Sequence, residues 1–250
     1  MKAMVLAAGR GERLRPLTDH QPKPMMTLAG KPIIHYTLTY LRNCGIREVI
    51  INLHHLGEQI RSYVGNGSAW DLAVTYSQER VLLGTGGGVQ KAAPFLVQGP
   101  FLVMNSDVVL ELDLLDVLRF HRDREASVTM VLRKDPQVDR YGAIGIDSES
   151  QVRQFPGRTP TPWGPWRKLM FTGVHILEPA VFSYMPGDVS VFSIIDVYIA
   201  MVQAGERIMG YEMKGFWTDL GTLESYEQLQ KLVAGDVSVM ERFVRGCGWA

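Results

Sequence analysis

Residues 6–24 read LAAGRGERLRPLTDHQPKP, and they decide how the first half of the chain is read. Residues 2–7, KAMVLA, lead into them as a short apolar run of strand character. A strand that opens directly onto Gly9 and Gly11 is the start of an α/β unit. Small residues let backbone N–H groups come close to a phosphate, and glycine accepts positive φ where a turn demands it. Arg10, Arg13, Arg15 and Lys23 bring four positive charges to the same stretch. The whole chain balances 26 Lys and Arg against 26 Asp and Glu, so the cluster is local and needs a local reason.

Downstream, Pro32 can begin a helix whose apolar positions Ile33, Ile34, Leu38 and Leu41 recur at helical spacing, ending near Gly45. Strands are expected at 48–52, 73–76, 101–104 and 127–132, with helices at 56–64 and 113–123. This alternation favours an α/β, Rossmann-like fold, a mostly parallel twisted sheet flanked by helices. The order breaks after residue 135. Strands are then expected at 143–147, 152–155 and 171–177, around a Pro- and Trp-rich loop at 156–166. Helices follow at 193–204 and 223–233, with strands at 208–212 and 216–219 between them. This half reads as a smaller lobe that covers the open side of the sheet. The expected division is one domain over 1–235, with halves 1–135 and 136–235, and a helical extension over 236–250. In that extension Val237, Met240 and Phe243 suit a short amphipathic helix packed on the domain or on a second subunit.

Several function classes are excluded by composition. A neutral chain makes no global electrostatic case for nucleic acid or an acidic membrane surface. Two distant cysteines, Cys44 and Cys247, form neither a disulfide framework nor a zinc site, and Cys44 suits buried packing. No apolar stretch reaches the roughly 18 residues a membrane span needs, and the N-terminal run is too short for a signal peptide, so the cytoplasm is the expected location. No repeat is visible and no hexapeptide pattern follows the last helix, so a fused acyltransferase domain is not expected. The Rossmann glycine pattern fails at Leu14, and no Gly-Lys-Ser/Thr completes a Walker loop. His54 and His55 are adjacent, so on a strand or turn they point apart, which favours structural or surface roles over metal binding.

With Pro16-Leu17-Thr18 and Pro22-Lys23-Pro24 at this spacing from Arg13, residues 6–24 closely resemble the signature of the sugar-1-phosphate nucleotidyltransferase family, G-x-G-[ST]-R-L-x-P-L-T followed by P-K-P. Glu12 stands where Ser or Thr is usual. Further matches follow in the family's order: Gly84-Thr85-Gly86-Gly87, Asn105-Ser106-Asp107, Tyr141-Gly142, Thr172-Gly173 and Trp217-Thr218-Asp219-Leu220-Gly221-Thr222. The resemblance implies that the backbone of Leu6, Ala7, Ala8, Gly9 and Gly11 cradles the nucleotide. It makes Arg13 and Lys23 the catalytic cations that hold the triphosphate and neutralise the departing pyrophosphate. It sets Glu79, Gly84 and Thr85 beside the base and ribose, with Gly142, Thr172 and Gly173 contacting the sugar and Trp217 packing on the pyranose. Asp107 and Asp219 would hold Mg²⁺ between the phosphates of both substrates.

Each residue also has a plainer reading. Lys23 could be a solvated loop lysine, each Asp could cap the following turn, and Gly86-Gly87-Gly88 could be a flexible turn opening a helix at 89–93. Relatives that carry Glu-Lys-Pro after strand 152–155 are not matched here, where Gln154-Phe155-Pro156-Gly157-Arg158 stands; Arg158 and Lys168 are the two candidates to replace the missing charge. Trp163 and Trp166 suit either a lid or loop packing.

The implied reaction joins a nucleoside triphosphate to a sugar 1-phosphate, with GTP plus mannose 1-phosphate the leading pair. Similarity extends to mannose-1-phosphate guanylyltransferases and to N-acetylmuramate-1-phosphate uridylyltransferases, so UTP with N-acetylmuramate 1-phosphate or a related hexose 1-phosphate is the alternative. The sugar-phosphate oxygen is already ionised near neutral pH, which suits a chain without a Ser-His-Asp or Cys-His constellation. Two readings of other classes stay open: a silent nucleotide-sugar-binding regulatory module, and a dinucleotide-dependent oxidoreductase. A homo-oligomer is compatible with the sequence.

Overall fold

A computed structural model of the chain describes residues 1–155, 164–236 and 238–245. Its strands are β1 (Lys2–Leu6), β2 (Thr27–Leu28), β3 (Lys31–Pro32), β4 (Glu48–Leu53), β5 (Ala73–Gln78), β6 (Phe101–Asn105), β7 (Val108–Leu110), β8 (Val128–Arg133), β9 (Ala143–Ile146), β10 (Val152–Gln154), β11 (Arg167–Leu177), β12 (Ile208–Glu212) and β13 (Trp217–Asp219). Its helices are α1 (Ile33–Asn43), α2 (Gly57–Val64), α3 (Gly84–Lys91), α4 (Ala93–Leu96), α5 (Leu114–Asp123), α6 (Val138–Tyr141), α7 (Ile194–Gln203), α8 (Leu223–Gly235) and α9 (Ser238–Arg245). Among the described residues, no helix is long and apolar enough to cross a membrane.

These elements pack as two compact units that interleave along the chain. The first is Met1–Leu82, Met104–Leu114 and Gly215–Ala250; the second is Leu83–Val103 and Leu115–Lys214. Compactness therefore does not follow the cut at residue 135, because the chain returns to the first unit twice.

In the first unit β1, β4 and β5 run parallel, with Val5 opposite Ile51 and Ile51 opposite Tyr76. β1 and β4 are continuous apolar runs because strands covered on both faces have no use for alternation; Ala3, Met4, Val5, Val49 and Ile51 are all fully buried. Pro32 caps α1, and Ile33, Ile34, Leu38 and Leu41 form its fully buried stripe as the spacing predicts. The C-terminal extension packs on its own chain. Val239, Met240 and Phe243 of α9 share a core with Leu14, Met26, Leu28, Val109 and Leu220, and Asn43 of α1 donates to the Val244 carbonyl at 2.6 Å.

In the second unit β8 is central, pairing antiparallel with β11 and parallel with β12. β11 also pairs antiparallel with β9, which pairs with β10. β11 runs from Arg167, four residues earlier than the expected start, because β9 offers it a second partner at Arg167–Met170. Helix α7 opens with a capping box between Ser193 and Asp196.

The glycines after Leu83 overturn the turn reading. α3 begins at Gly84 itself, so Gly86, Gly87 and Gly88 are helical and buried. Glycine weakens a helix interior by about 1 kcal/mol per residue, so packing must require it. A Cβ on Gly86 would strike the Phe192 ring, and one on Gly87 would strike the Ser190 carbonyl. The segment around 190–192 lies directly on the helix, and Gly86 N–H donates to the Phe192 carbonyl at 3.0 Å.

Candidate functional site

β1 ends at Leu6, and the chain then leaves the sheet through Ala7, Ala8 and Gly9 into short 3-10 turns at Glu12–Leu14, Leu17–Asp19 and Lys23–Met25. Ala7 and Ala8 are buried, whereas Gly9, Arg10, Glu12 and Arg13 face solvent. Gly11 has φ +67, and a Cβ there would lie 2.8 Å from Thr18 Cγ2. Conformation and space both demand glycine at that point. The loop is clasped from within and from outside. Thr18 is 1% exposed and its hydroxyl donates to the Gly11 carbonyl at 2.8 Å. His55 Nε2–H donates to the Thr18 carbonyl at 3.1 Å, and Gln59 donates to the His20 carbonyl at 2.9 Å. His54 Nδ1–H donates to the Glu79 carbonyl at 3.0 Å. The histidine pair thus points apart, as expected, and braces two segments of the site.

Lys23, Asp107 and Asp219 come together from distant sequence. Lys23 forms an ion pair with Asp107 Oδ2, both side chains being largely covered. Ser106 N–H donates to the Leu6 carbonyl at 3.1 Å, which holds Asp107 beside the start of the loop. In the antiparallel β7–β13 ribbon Asp219 is opposite Val108, and Leu220 N–H donates to the Asp107 carbonyl at 2.9 Å. The two carboxylates therefore rise from neighbouring backbone positions. Arg13 joins them at Gly221: a Cβ there would lie 2.6 Å from Asp219 Oδ2 and 3.0 Å from Arg13 Nη2. Gly221 must lack a side chain for the guanidinium and carboxylate to approach.

This donor set fits a hard divalent cation. Asp107 and Asp219 supply oxygen ligands of the kind Mg²⁺ takes when phosphate oxygens complete its shell. No group of three or more His, Cys, Asp or Glu able to hold a metal occurs among the described residues, so a cation here would rely on such outside oxygens. Two nearby cations, Arg13 and Lys23, would then face the same phosphates.

Glu79 is buried at 2% exposure, and its Oε1 accepts from Asn52 Nδ2 at 2.7 Å. Gly84 and Thr85 lie in the second unit, where the Thr85 hydroxyl accepts the Ile194 N–H at 3.0 Å and ties α3 to the start of α7. Gly142 is exposed just before β9, whose Ala143 is opposite Met170 of β11. Gly142 and Thr172 thus fall on one stretch of that ribbon. The Thr172 hydroxyl is turned inward and donates to the Val131 carbonyl at 2.8 Å; Gly173 is buried with φ +82. Trp217 is half-buried in β13 of the first unit, away in sequence and unit from these three residues. Lys168 forms an ion pair with Asp139 at 3.0 Å, and Trp166 is half-buried against Gly164. Arg158, Trp163, Val237 and Cys247 lie outside the described residues.

Sequence reasoning missed Asn52, Thr18 and Gly221 as parts of this site. Asn52 had a visible signal, a lone amide ending the apolar run EVIIN. Thr18 and Gly221 had none beyond their motifs, since their importance depends on what packs against them.

Known proteins resemble this chain along most of its length. The family described as Nucleotidyl transferase matches over residues 2–235. The N-acetylmuramate alpha-1-phosphate uridylyltransferase of Neisseria meningitidis is 37% identical over 93% of this chain and 98% of its own length. The mannose-1-phosphate guanylyltransferase of Mycobacterium tuberculosis is 34% identical over 90% of this chain. The chain spans 62% of the length of that protein and of one further curated relative. A crystal structure of a UDP-glucose pyrophosphorylase complexed with UDP-glucose superposes with TM-score 0.79 at 19% identity, covering 94% of this chain and 98% of that one. That likeness speaks for the fold, a mixed α/β Rossmann-like sheet flanked by helices.

Proposed function

The chain belongs to the nucleotidyl transferase family, and from that premise we propose that it makes an NDP-sugar and pyrophosphate from a nucleoside triphosphate and a sugar 1-phosphate. One observation carries the reading: Arg13, Lys23, Asp107 and Asp219, far apart in sequence, meet at the mouth of the glycine loop. Two cations and two carboxylates at one place suit phosphoryl chemistry, where negative charge must be gathered, held and released.

In this mechanism an oxygen of the sugar 1-phosphate attacks the α-phosphorus in line with the departing pyrophosphate. The nucleophile is already anionic, so the chain has to orient and neutralise rather than remove a proton. Backbone N–H groups of residues 8–11 would receive the phosphates. Arg13 and Lys23 would bear the charge that grows on the leaving oxygens. Mg²⁺, held by Asp107 and Asp219, would supply further charge neutralisation when bound. The Lys23–Asp107 ion pair supports this division of labour, because it keeps both groups at hand before substrate arrives.

For the base, the buried carboxylate of Glu79 favours guanine, which offers two adjacent N–H donors, and hence GTP with mannose 1-phosphate. The full-length match to the neisserial relative favours UTP with N-acetylmuramate 1-phosphate. Gly142, Thr172, Gly173 and Trp217 are the proposed sugar contacts, and Lys168 the proposed charge on the sugar phosphate.

The test is pyrophosphate release with Mg²⁺, five nucleoside triphosphates being crossed with a panel of sugar 1-phosphates. One strong pair is expected. Nucleotide binding without release across the whole panel would instead point to a regulatory module.

A further inference from the structure

Asn52 is the penultimate residue of β4 and is 3% exposed. Its Oδ1 accepts the Ala7 N–H at 2.7 Å, and its Nδ2 donates to Glu79 Oε1 at 2.7 Å. Glu79 is held on its backbone too: its N–H donates to the Leu53 carbonyl at 2.7 Å, and its carbonyl accepts His54 Nδ1–H at 3.0 Å. A single amide therefore touches the first peptide of the glycine loop and the carboxylate proposed to read the base. The two contacts make opposite demands, an acceptor toward Ala7 and a donor toward Glu79. A side chain of this length meets both only as an amide. Aspartate would set a second carboxylate against Glu79 in a buried place, and leucine would remove both contacts.

We infer that Asn52 is a positioning residue for the nucleotide, fixing the phosphate loop relative to Glu79. The inference rests on the nucleotidyltransferase reading above. Asn52 touches no reacting atom; it acts through Ala7 and Glu79. Because Ala7 N–H is taken by Asn52, the phosphates fall to the N–H groups beyond it. The amide sets where that usable part of the loop begins. Loss of Asn52 therefore weakens nucleotide binding and leaves sugar-phosphate binding alone.

The polarity of the pair can be reversed. In Asn52→Asp with Glu79→Gln, the aspartate still accepts the Ala7 N–H and the new amide donates back to it, so the shape is kept. The experiment measures the Kd of Mg²⁺-GTP and Mg²⁺-UTP by calorimetry on the full chain. Pyrophosphate-release kinetics and melting are recorded for wild type, Asn52→Asp, Glu79→Gln and the double variant. On the wild-type background Asn52→Asp is expected to raise the nucleotide Kd and KM about tenfold or more, with the sugar 1-phosphate KM within about twofold. On the Glu79→Gln background the same change is expected to move Kd by less than about threefold. Equal effects on both backgrounds overturn the inference, as does a drop in melting temperature with nucleotide affinity intact. If Asn52→Asp does not fold, the double variant decides: folded with the affinity of Glu79→Gln it supports the inference, unfolded or weaker it overturns it. A wild type that binds no nucleotide and releases no pyrophosphate is a different result, which removes the nucleotidyltransferase reading and the role of Asn52 with it.

Discussion

Two glycine-rich segments, 6–11 and 84–88, look alike as strings and do opposite things in the fold. The first leaves the sheet as an irregular loop, with Gly11 in the left-handed region and Gly9 and Arg10 toward solvent. The second is a helix in which Gly86 and Gly87 are buried against residues 190–192. In the first segment glycine serves a left-handed turn and a close contact with Thr18 inside an irregular loop; in the second it admits a remote piece of chain onto a helix. Glycine content therefore marks a close approach without saying what approaches.

The largest effects should fall on the charges served by the first segment. Asp219→Asn and Lys23→Ala are each expected to lower kcat/KM about a thousandfold, with melting temperatures near wild type. Turnover within a few-fold of wild type in either variant would remove that residue from the chemistry. The comparison itself is put at risk by one pair of substitutions. Gly11→Ala is expected to reduce kcat/KM about a hundredfold, because the loop must shift to relieve the contact with Thr18. Gly87→Ala is expected to destabilise the fold by about 2–3 kcal/mol, because the Ser190 carbonyl is backbone and cannot swing away. Denaturant titration and kinetics on both variants check this. If Gly87→Ala lost only activity and Gly11→Ala only stability, the contrast would be reversed.

A smaller effect belongs to the second unit. His175 is fully covered, accepts the Tyr198 hydroxyl on Nδ1, and burial pushes its pKa down to about 3 from 6.5. The folded state thus keeps it neutral. Its contribution to stability is complete above the unfolded value near 6.5 and is lost as pH falls from there toward 3. The slope is about 1.4 kcal/mol per pH unit. Melting curves between pH 7.5 and 5.5 should show His175→Gln losing less stability on acidification than wild type does; parallel curves would mean that His175 titrates normally.

Much of this architecture was legible because its causes are local. The stripe of Ile33, Ile34, Leu38 and Leu41 and the unbroken runs in β1 and β4 announce elements whose burial is written in their period. The site was legible where charge and glycine concentrate between residues 9 and 24, and its distant members were reached through the family's motif order. What could not be read depends on contacts between remote segments. The helical state of Gly84–Lys91 is decided by residues a hundred positions later. β7 is only three residues long, too short to carry a pattern, and its pairing with β13, inside the expected strand at 216–219, joins segments more than a hundred positions apart. Asn52 shows its amide but not the two partners that give it a task.

The shared core of Leu14, Val109, Leu220 and Phe243 has a consequence for the making of the protein. It joins the glycine loop near the start of the chain to a helix more than two hundred residues later, so the contacts that seat the loop are among the most non-local in the molecule. A nascent chain halted at residue 214 would have written its whole glycine loop and still lack the floor beneath it. Such an intermediate, with Leu14 and Val109 uncovered, is a natural client for a chaperone. Activity should therefore arise abruptly during synthesis, once α9 is free to pack beneath the loop.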